Sequence, residues 1–541
     1  MIARSDRRRF LISGMAAFVA VLLFIGLAVA ALLAFDTQAA SNALFDTYTL
    51  RILRFTLWQA TLSTFLSVAL GLPVALALAR QRHFPSRIWI IRLMAVPMGL
   101  PVIVGALGLI AIWGRQGLLN AALLSAGVEQ PFSIYGLSGI LIAHVFFNLP
   151  LAVRFFLAGL ERMPGEYWRM SAVLGMNSLS TFLFIEWPVV RRLVPGVAGL
   201  IFMLCATSFT LVLLLGGGPA ATTIEVAIYQ ALRFDFDPPR AIALSLMQIA
   251  MTGLLLVLLS FLPGAEAEGQ TRGQTVRRFD AARPLPRLWD GLVIVLAMLL
   301  VGSPLVAVAA SGLTADLWRL LSAEIFRRAA ITSLSIALVS ATLSVLVSVA
   351  LIRARQVVAD NNAPAWGARL LAATLGVGAS MVLLVPPVVL GSGWFLLLRP
   401  FGDVSLFAPF LVALINMLMA LPFAMRVLEP AFTTHQARTG RLVASLGVNG
   451  FSRFRLVDLP VLWRAFAMAF SFAMALSLGD LGAVALFGSE RFVTLPWLVY
   501  SNMGSYRTND AAGYAFILGV ICLILAAGGV SRQSEKAKAA A

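Results

Sequence analysis

Long apolar segments alternate with short polar loops along the whole chain, and six of them stand on either side of a hydrophilic interval at residues 263–288. An α-helix rises 1.5 Å per residue, so about 20 apolar residues cross a hydrocarbon core of about 30 Å. The pattern therefore predicts an all-α polytopic membrane protein with about twelve transmembrane helices. Within a few residues, the predicted spans are 10–35, 52–79, 88–112, 135–157, 195–217, 240–262, 290–311, 329–352, 370–398, 409–428, 466–488 and 513–530.

The composition fits a membrane protein better than a soluble one. Of the 541 residues, 60% are hydrophobic and 12% are charged, with a mean hydropathy of +0.92. Soluble domains are usually about 45–50% apolar. The formal net charge of +17 does not indicate nucleic-acid binding, because the arginines lie in short loops between apolar segments rather than on one basic face. We expect contact with membrane lipid and no nucleic acid.

The arginines also predict the orientation of the chain. When the predicted helices are threaded in order, the arginine-rich intervals 4–9, 80–92, 162–192 and 272–287 fall on the same side. Cytoplasmic loops of membrane proteins carry such an excess of Lys and Arg. We therefore expect both termini of this multi-pass protein to lie in the cytoplasm.

Two polar loops, 272 residues apart, carry the same sequence pattern. The spacing is constant, since Gly175 corresponds to Gly447 and Pro188 to Pro460. The other shared positions are Leu149, Pro150, Ala152 and Arg154 in the first copy and Leu421, Pro422, Ala424 and Arg426 in the second. An internal duplication of this kind predicts two repeats of similar structure.

The duplication gives the expected domain organisation. The first six-helix repeat covers residues 1–265, a cytoplasmic linker covers 266–288, and the second repeat covers 289–541. Because each repeat has six spans, both have the same orientation, which predicts parallel repeats related by an axis normal to the membrane. We call the loop at about 160–190 the first repeated loop and the loop at about 430–462 the second repeated loop.

Each repeated loop is expected to contain a short helix. In the first repeated loop, Pro164 suits the start of a helix and Gly175 suits its end, with Glu166 and Arg169 among apolar neighbours. A rigid helix outside the bilayer can transmit force from a partner protein to the spans. The alternative is an ordinary structured loop, which a single copy would not exclude.

The chain lacks the residues for its own ATP-hydrolysing site. A P-loop needs a lysine that reaches the nucleotide phosphates, and the two lysines of the chain, Lys536 and Lys538, lie in its tail. Any ATP-driven transport would therefore use an ATPase on another polypeptide, and we expect no cofactor in this chain. Cys205 and Cys522 lie inside apolar segments and the three histidines are far apart, so no metal site is expected.

The repeated loops resemble the EAA loop of type I binding-protein-dependent ABC importer permeases, which reads E-A-A-x-x-x-G, nine residues, I-x-L-P. The positions that match are Gly175, Ile185, Pro188, Gly447, Leu459 and Pro460. Both copies depart from the family at the glutamate position, which is Arg169 in the first and Arg441 in the second. The resemblance implies docking of an ATPase subunit on each loop, with an altered charge pattern. The expected coupling residues are Glu166, Arg169, Gly175, Pro188, Arg441, Gly447, Asp458 and Pro460.

A chain in which two permease repeats are fused resembles two groups of this family, the thiamine permeases and the ferric-ion permeases. The segments similar to the thiamine group are 113–117, 143–150, 216–225 and 478–488. This resemblance implies a non-enzymatic importer subunit in the bacterial inner membrane for thiamine and its phosphate esters. The implied partners are two copies of an ABC ATPase and a periplasmic thiamine-binding protein. A ferric-ion permease of the same fold remains an alternative.

Asp480 is the most unusual intramembrane residue, because a carboxylate in an apolar segment is costly and normally faces a partner or water. It is interpreted either as part of the translocation pathway or gate for a cation, or as a structural group that pairs with an arginine. Its counterpart in the first repeat is Ser208, and Thr207 and Thr210 are weaker pathway candidates. His144, together with Asn148 and Asn416, is expected to join helices rather than touch substrate.

Charged residues in the outer loops are open to two readings, docking of a soluble binding protein or ordinary solvation. They are Glu225, Arg233, Asp235, Asp237, Glu490, Arg491, Arg507 and Asp510. For the whole chain the rival from another class is an ion-coupled secondary transporter, since two parallel six-helix repeats suit that architecture too. Such a transporter would not need two docking loops. A channel or scaffold is disfavoured for the same reason.

Overall fold

The computed structural model describes residues 4–34, 42–82, 84–128, 132–261, 278, 284–360, 374–375, 384–448, 450–489 and 492–530. Every regular element within these residues is a helix, which confirms the predicted all-α class. A helix satisfies its backbone N–H and C=O groups within one segment, as a hydrocarbon environment without water requires.

The helices are numbered here in chain order. Those of the first part are α1 (Arg4–Ala34), α2 (Thr47–Arg80), α3 (Arg87–Leu93), α4 (Val96–Gly99), α5 (Val102–Trp113), α6 (Leu118–Ser125), α7 (Leu137–Glu161), α8 (Gly165–Val173), α9 (Ser178–Thr181), α10 (Trp187–Ala206), α11 (Thr210–Leu215), α12 (Ile224–Arg233) and α13 (Pro238–Ser260). Those of the second part are α14 (Pro284–Thr314), α15 (Leu317–Ser322), α16 (Glu324–Asp360), α17 (Pro387–Leu398), α18 (Ala408–Ser445), α19 (Gly450–Arg453), α20 (Leu459–Gly479), α21 (Gly482–Phe487), α22 (Leu495–Gly504) and α23 (Thr508–Val530). Two π-helical segments, Phe182–Glu186 and Phe454–Asp458, precede α10 and α20.

Eleven helices in the described part of the chain are long and apolar enough to cross a membrane, and Pro387–Phe401 is a shorter apolar helix. This agrees with the expectation of about twelve spans. The predicted span 370–398 lies partly outside the described residues, and its described part contains α17.

The predicted span at 88–112 is wrong as a continuous helix. The structure has three successive helices there, α3, α4 and α5. Pro97 lies in the first turn of α4, and Pro101 immediately precedes α5. Proline has no backbone N–H to donate within a helix and disfavours helical geometry in the residue before it. Two prolines four residues apart therefore divide the segment.

Two other predicted spans have the wrong limits. The span predicted at 195–217 is α10, which begins earlier and ends at Ala206, followed by the short helix α11. The span predicted at 466–488 is α20, which ends at Gly479, followed by α21. The two breaks occupy equivalent places in the repeats. Apolar composition alone did not reveal them, because the residues around each break are still mostly apolar.

The chain divides into two compact units, each described by itself. Unit A comprises Met1–Phe45, Ile228–Ile249 and Ala315–Ala541, and unit B comprises Asp46–Ala227 and Ala250–Thr314. Helix α1, the first helix of the first predicted repeat, thus belongs to unit A, which holds most of the second repeat. Helix α14, the first helix of the second predicted repeat, belongs to unit B, which holds most of the first repeat. The predicted repeat boundaries concern duplication of the sequence and stay a prediction.

Small residues allow the close helix packing inside each unit. In unit A, α1 packs against α16 and α17, and a Cβ added to Gly14 would lie 2.3 Å from the Cβ of Ala354. In unit B, α14 packs against α5, and a Cβ on Gly108 would lie 2.4 Å from the carbonyl oxygen of Pro304. Association of helices in lipid depends on such close backbone contacts.

The duplication is visible in matching hydrogen bonds. In unit B, the backbone N–H of Ile224 donates to Thr56 Oγ1 at 3.1 Å. In unit A, the backbone N–H of Leu495 donates to Ser333 Oγ at 2.8 Å. Each hydroxyl satisfies an N–H at the first turn of a ten-residue helix, where no carbonyl of the helix itself is available.

Candidate functional site

The first repeated loop contains the short helix that the sequence predicts. Helix α8 begins immediately after Pro164 and is followed by Gly175 in the left-handed region, with φ +64. The N–H of Met176 donates to the carbonyl of Ser171 at 3.0 Å, which closes the end of the helix. A residue with a Cβ is strained at this φ, so the glycine sets where the helix ends.

The second repeated loop is built differently at its start. Helix α18 runs without interruption from Ala408 to Ser445, and Gly447 again has a positive φ, +63. In the first repeated loop the corresponding helices are separate, because α7 ends at Glu161 and α8 begins at Gly165. The second loop helix is therefore a direct extension of a spanning helix.

Both loops return toward the spans through a π-helical turn at the same place in the pattern. The N–H of Trp187 donates to the carbonyl of Phe182, and that of Leu459 to the carbonyl of Phe454. Pro188 follows the first turn and Pro460 the second. Since proline cannot donate an N–H to the preceding turn, the wider turn accommodates it, and such π turns are frequent at functional sites.

The loop helices present apolar side chains on their exposed surface. In α8 these side chains are Tyr167, Met170 and Val173, of which Val173 is 88% exposed. In the second loop, Leu442 and Leu446 are exposed, with Leu446 at 66%. Exposed apolar side chains at helical spacing are typical of a surface that a partner protein covers.

The side chains of the predicted coupling residues differ in how far they are exposed. Glu166 and Arg169 are exposed on α8, Pro188 is half-buried, and Pro460 is exposed. The backbone of Arg441 lies in α18, but its side chain is outside the described residues. Asp458 is not exposed: it is buried, together with its counterpart Glu186.

Asp458 lies at the centre of a buried ionic cluster in unit A. Its Oδ2 accepts a hydrogen bond from Arg353 Nη2 at 2.5 Å, and its Oδ1 is 2.8 Å from His435 Nε2. Arg453 Nε lies 3.6 Å from Oδ2. All four side chains are at most 5% exposed. The cluster ties the π turn to α16 and α18.

Glu186 has a different partner in unit B. Its Oε1 accepts a hydrogen bond from Arg278 Nη1 at 2.6 Å, and the two side chains are 0% and 1% exposed. The guanidinium carbon of Arg278 also lies 4.1 Å from the ring centroid of Trp168 on α8. Arg278 belongs to the linker, so the linker contacts both α8 and the π turn of the first repeated loop.

Further arginines surround the base of the first repeated loop. Burial lowers the pKa of Arg82, and the nearby positive charges of Arg278 and Arg87 lower it further, while Glu161 acts in the opposite direction. Arg87 Nη2 donates to Glu161 Oε1 at 2.5 Å. Positive charge is therefore concentrated around Arg82, Arg87 and Arg278 at the base of this loop.

The predicted pathway residues lie at the two helix breaks. The Thr207 hydroxyl donates to the carbonyl of Met203 at 2.9 Å, Ser208 follows it in the break, and Thr210 begins α11. Asp480 is half-buried, and its carboxylate accepts hydrogen bonds from the N–H groups of Gly482 at 3.1 Å and Ala483 at 3.3 Å. Asp480 therefore caps α21.

Polar side chains join helices around each break, as expected for His144, Asn148 and Asn416. In unit B, Ser63 Oγ lies 2.9 Å from His144 Nδ1, and Asn148 Nδ2 lies 3.3 Å from Cys205 Sγ. In unit A, Asn416 Nδ2 donates to Ser477 Oγ at 3.0 Å. A polar void of about 10 Å³ beside Asp480, with room for about one water, is lined in part by Asn416 and Ser477.

The charged residues that the sequence places in outer loops do not form one group. Glu225 is buried, and both carboxylate oxygens lack a hydrogen-bond partner among the described residues, so it is not an ordinary solvated charge. Burial raises the pKa of Glu225 to about 8. Asp510 pairs with Arg319, while Glu490 and Arg491 lie outside the described residues.

A larger cavity of about 410 Å³ lies in unit A. It is lined by Leu232, Arg233, Phe236, Pro238, Phe395, Arg399 and Leu486. Two guanidinium groups and two aromatic rings thus face the same space. Arg233 Nη2 also donates to the carbonyl of Gly488 at 2.6 Å.

Comparison with known proteins supplies the family. No protein-family model matches the chain. The thiamine transport system permease protein ThiP of Brucella abortus is 51% identical over 488 residues, which is 90% of this chain and 88% of that protein. ThiP of Salmonella typhimurium is 43% identical over 96% of this chain and 97% of its own length. ThiP of Haemophilus influenzae is 36% identical over 96% and 95%.

The chain belongs to the thiamine transport permease family. Membership and the eleven apolar helices establish a permease that passes through the membrane several times. The predicted resemblance to this family is thereby confirmed.

Sequence reasoning missed the arginine and histidine side chains that surround the two buried carboxylates of this permease. They are Arg278, Arg353, His435 and Arg453. One signal was present: Glu186 and Asp458 are 272 residues apart, as are the glycines and prolines of the loops. An acidic residue retained at the same place in both repeats indicates a partner, but the sequence does not give the partner's position.

Proposed function

We propose that the chain is the membrane-spanning subunit of an ABC importer that moves thiamine and its phosphate esters from a periplasmic binding protein into the cytoplasm. Two copies of a separate ATPase subunit would drive it. The bacterial inner membrane is the corresponding location, with both termini and both repeated loops in the cytoplasm. The thiamine part follows from the names of relatives that are up to 51% identical.

The observation that carries the ATPase part is the pair of repeated loops. Each ends its helix at a left-handed glycine, exposes apolar side chains and returns through a π turn placed 272 residues from its counterpart. A docking surface used twice explains why these features occur twice. An ion-coupled secondary transporter has no corresponding need for them.

The mechanism we propose is alternating access. Closure of the two ATPases moves both loops together, and the loops pull on α10 and α20, which begin directly after the π turns. Each of these helices ends at a break beside polar side chains. The void at Asp480 has a volume of about 10 Å³, so passage of a thiamine molecule requires the helices around it to move apart.

Asp480 is the group on this route suited to a cationic substrate. A carboxylate attracts the thiazolium ring, and the groups that donate hydrogen bonds to Asp480 in the described part of the chain are backbone N–H groups. The cavity lined by Arg233 and Arg399 suits phosphate esters, because guanidinium groups bind phosphate oxygens and Phe236 and Phe395 offer aromatic surface.

The docking proposal is tested by changing both left-handed glycines. We expect Gly175→Val combined with Gly447→Val to abolish co-purification with the ATPase subunit, since a β-branched residue is strained at positive φ. Gly291→Val is the control, because Gly291 lies in α14, outside both repeated loops, and no atom of the described structure lies within 4 Å of an added Cβ. Full ATPase association and uptake in the double variant would contradict the proposal.

The substrate is tested with the cognate binding protein and with reconstituted uptake. Thiamine, thiamine pyrophosphate and ferric ion are compared as ligands. We expect binding and uptake of the first two, with Arg399→Gln lowering uptake of the pyrophosphate more than that of thiamine. Binding of ferric ion alone would favour the ferric-ion permease instead.

A further inference from the structure

The two repeated loops hold a buried carboxylate at the same position but differ in where its arginine neighbours come from. Asp458 contacts Arg353, His435 and Arg453, all within the second repeat. An offset of 277, seen in Thr56 and Ser333, places Leu76 opposite Arg353, since 353 − 277 = 76. An offset of 272 places Met163 opposite His435 and Thr181 opposite Arg453. None of these counterparts is an arginine or a histidine.

Arg278 occupies this role for Glu186 although it lies outside the repeat. Its guanidinium donates to Glu186 on the π segment at 2.6 Å and lies 4.1 Å from the ring of Trp168 on α8. One planar group therefore joins the outgoing helix of the first repeated loop to its returning turn. Arginine suits this position because its guanidinium can stack on an aromatic face and bind a carboxylate at the same time.

The burial of Arg278 is the second reason to assign it a role. Its side chain is 1% exposed, and that of Glu186 is 0% exposed. A charge is buried at high cost unless it is paired. A linker that only connected two repeats would leave its arginines in water.

We propose that Arg278 is a positioning residue that fixes the first repeated loop for engagement with the ATPase. The linker would thus contribute a residue that holds the first repeated loop in place for docking, whereas the second repeated loop is held by residues of its own repeat. This proposal rests on the proposed docking of an ATPase on both loops. Displacement of the linker would loosen the first loop and leave the second unchanged.

The test measures contact with the ATPase at each loop separately. Val173→Cys reports on the first repeated loop and Leu446→Cys on the second, since both positions are exposed. A maleimide–succinimide reagent joins the introduced thiol to lysines of the ATPase in the assembled transporter. The native Cys205 and Cys522 are buried, which keeps the background low.

We expect Arg278→Gln to lower cross-linking at position 173 by about tenfold and to leave cross-linking at position 446 within about twofold. Arg353→Gln should do the reverse. Arg287→Gln is the matched control, because Arg287 is exposed near the start of α14 and should change neither signal.

Equal loss at both positions, or no loss at position 173, would overturn the role of Arg278. If Arg278→Gln fails to fold, Arg278→Lys replaces it, since lysine keeps the charge beside Glu186 but not the planar contact with Trp168. A smaller loss of cross-linking at position 173 alone is then expected. Equal loss at positions 173 and 446, or no loss at position 173, contradicts the proposal. Failure of the proposed docking is a distinct result, because the unsubstituted chain would then show no cross-link at either position.

Discussion

The two repeated loops share a plan but differ in how each is held. In the second, both oxygens of Asp458 are bonded, and the loop helix continues a spanning helix. In the first, one oxygen of Glu186 binds Arg278, the other has no hydrogen-bond partner in the described part of the chain, and α8 is separate from α7. The second loop is thus bonded within its own repeat, whereas the first is bonded to Arg278 of the linker.

The largest difference between the loops is expected in stability. Asp458→Asn leaves two arginines in a buried site without their carboxylate, so we expect a loss of about 3–5 kcal/mol in the free energy of unfolding. Glu186→Gln should fall at the lower end of that range, because Arg278 is its one arginine neighbour within bonding distance in the described structure. Thermal unfolding in detergent measures both. A larger loss for Glu186→Gln would reverse the comparison.

The loop glycines should also differ when they are changed one at a time. Gly175→Val and Gly447→Val each introduce strain of about 1–2 kcal/mol at a positive φ. We expect Gly175→Val to weaken ATPase association more, since α8 has no spanning helix to extend from. Association is measured by titrating ATPase subunit onto the purified permease. Equal weakening would show that the separation of α8 from α7 does not matter.

The paired helix breaks extend the comparison into the membrane. Asp480→Asn keeps one oxygen to cap α21, so we expect a loss of only about 1 kcal/mol in stability but a clear fall in thiamine uptake. Ser208→Ala, at the equivalent place, should change uptake little, because serine carries no charge. Uptake in proteoliposomes and apparent Tm are measured on both variants. Unchanged uptake in Asp480→Asn would assign Asp480 to a capping role alone.

An effect on stability alone is expected at the aromatic rings beside the two buried arginines. Trp168→Phe keeps an aromatic face beside Arg278 but loses contact area, and we expect a loss of about 1–2 kcal/mol. Phe432→Leu removes the ring that lies 4.7 Å from Arg353, and should cost a similar amount. The apparent Tm of each variant checks this. No change in Trp168→Phe would show that the contact with Arg278 adds little.

Much of this architecture can be predicted from sequence because its causes are local. Apolar segments long enough to span, Pro164 at a helix start and Gly175 at a helix end each depend on a few neighbouring residues. The breaks at Ser208 and Asp480 were not predicted, since hydropathy does not register a change in backbone direction inside an apolar segment.

The ionic partners of the loops lay beyond sequence reasoning for another reason. Arg278 lies 92 residues from Glu186, and Arg353 lies 105 residues from Asp458. Their pairing depends on tertiary packing, and arginine is common in the loops of this chain. The orientation of the chain, the ATPase contacts and the pathway residues stay predictions that experiments must address.

The central claim is that the permease works through a separate ATPase, and reconstituted transport tests it most directly. Proteoliposomes contain either the chain with its ATPase subunit and dissipated ion gradients, or the chain alone with an imposed ion gradient, and both kinds receive loaded binding protein and thiamine. We predict thiamine uptake only when the ATPase subunit and ATP are present. Uptake by the chain alone, driven by an imposed ion gradient, would contradict the account.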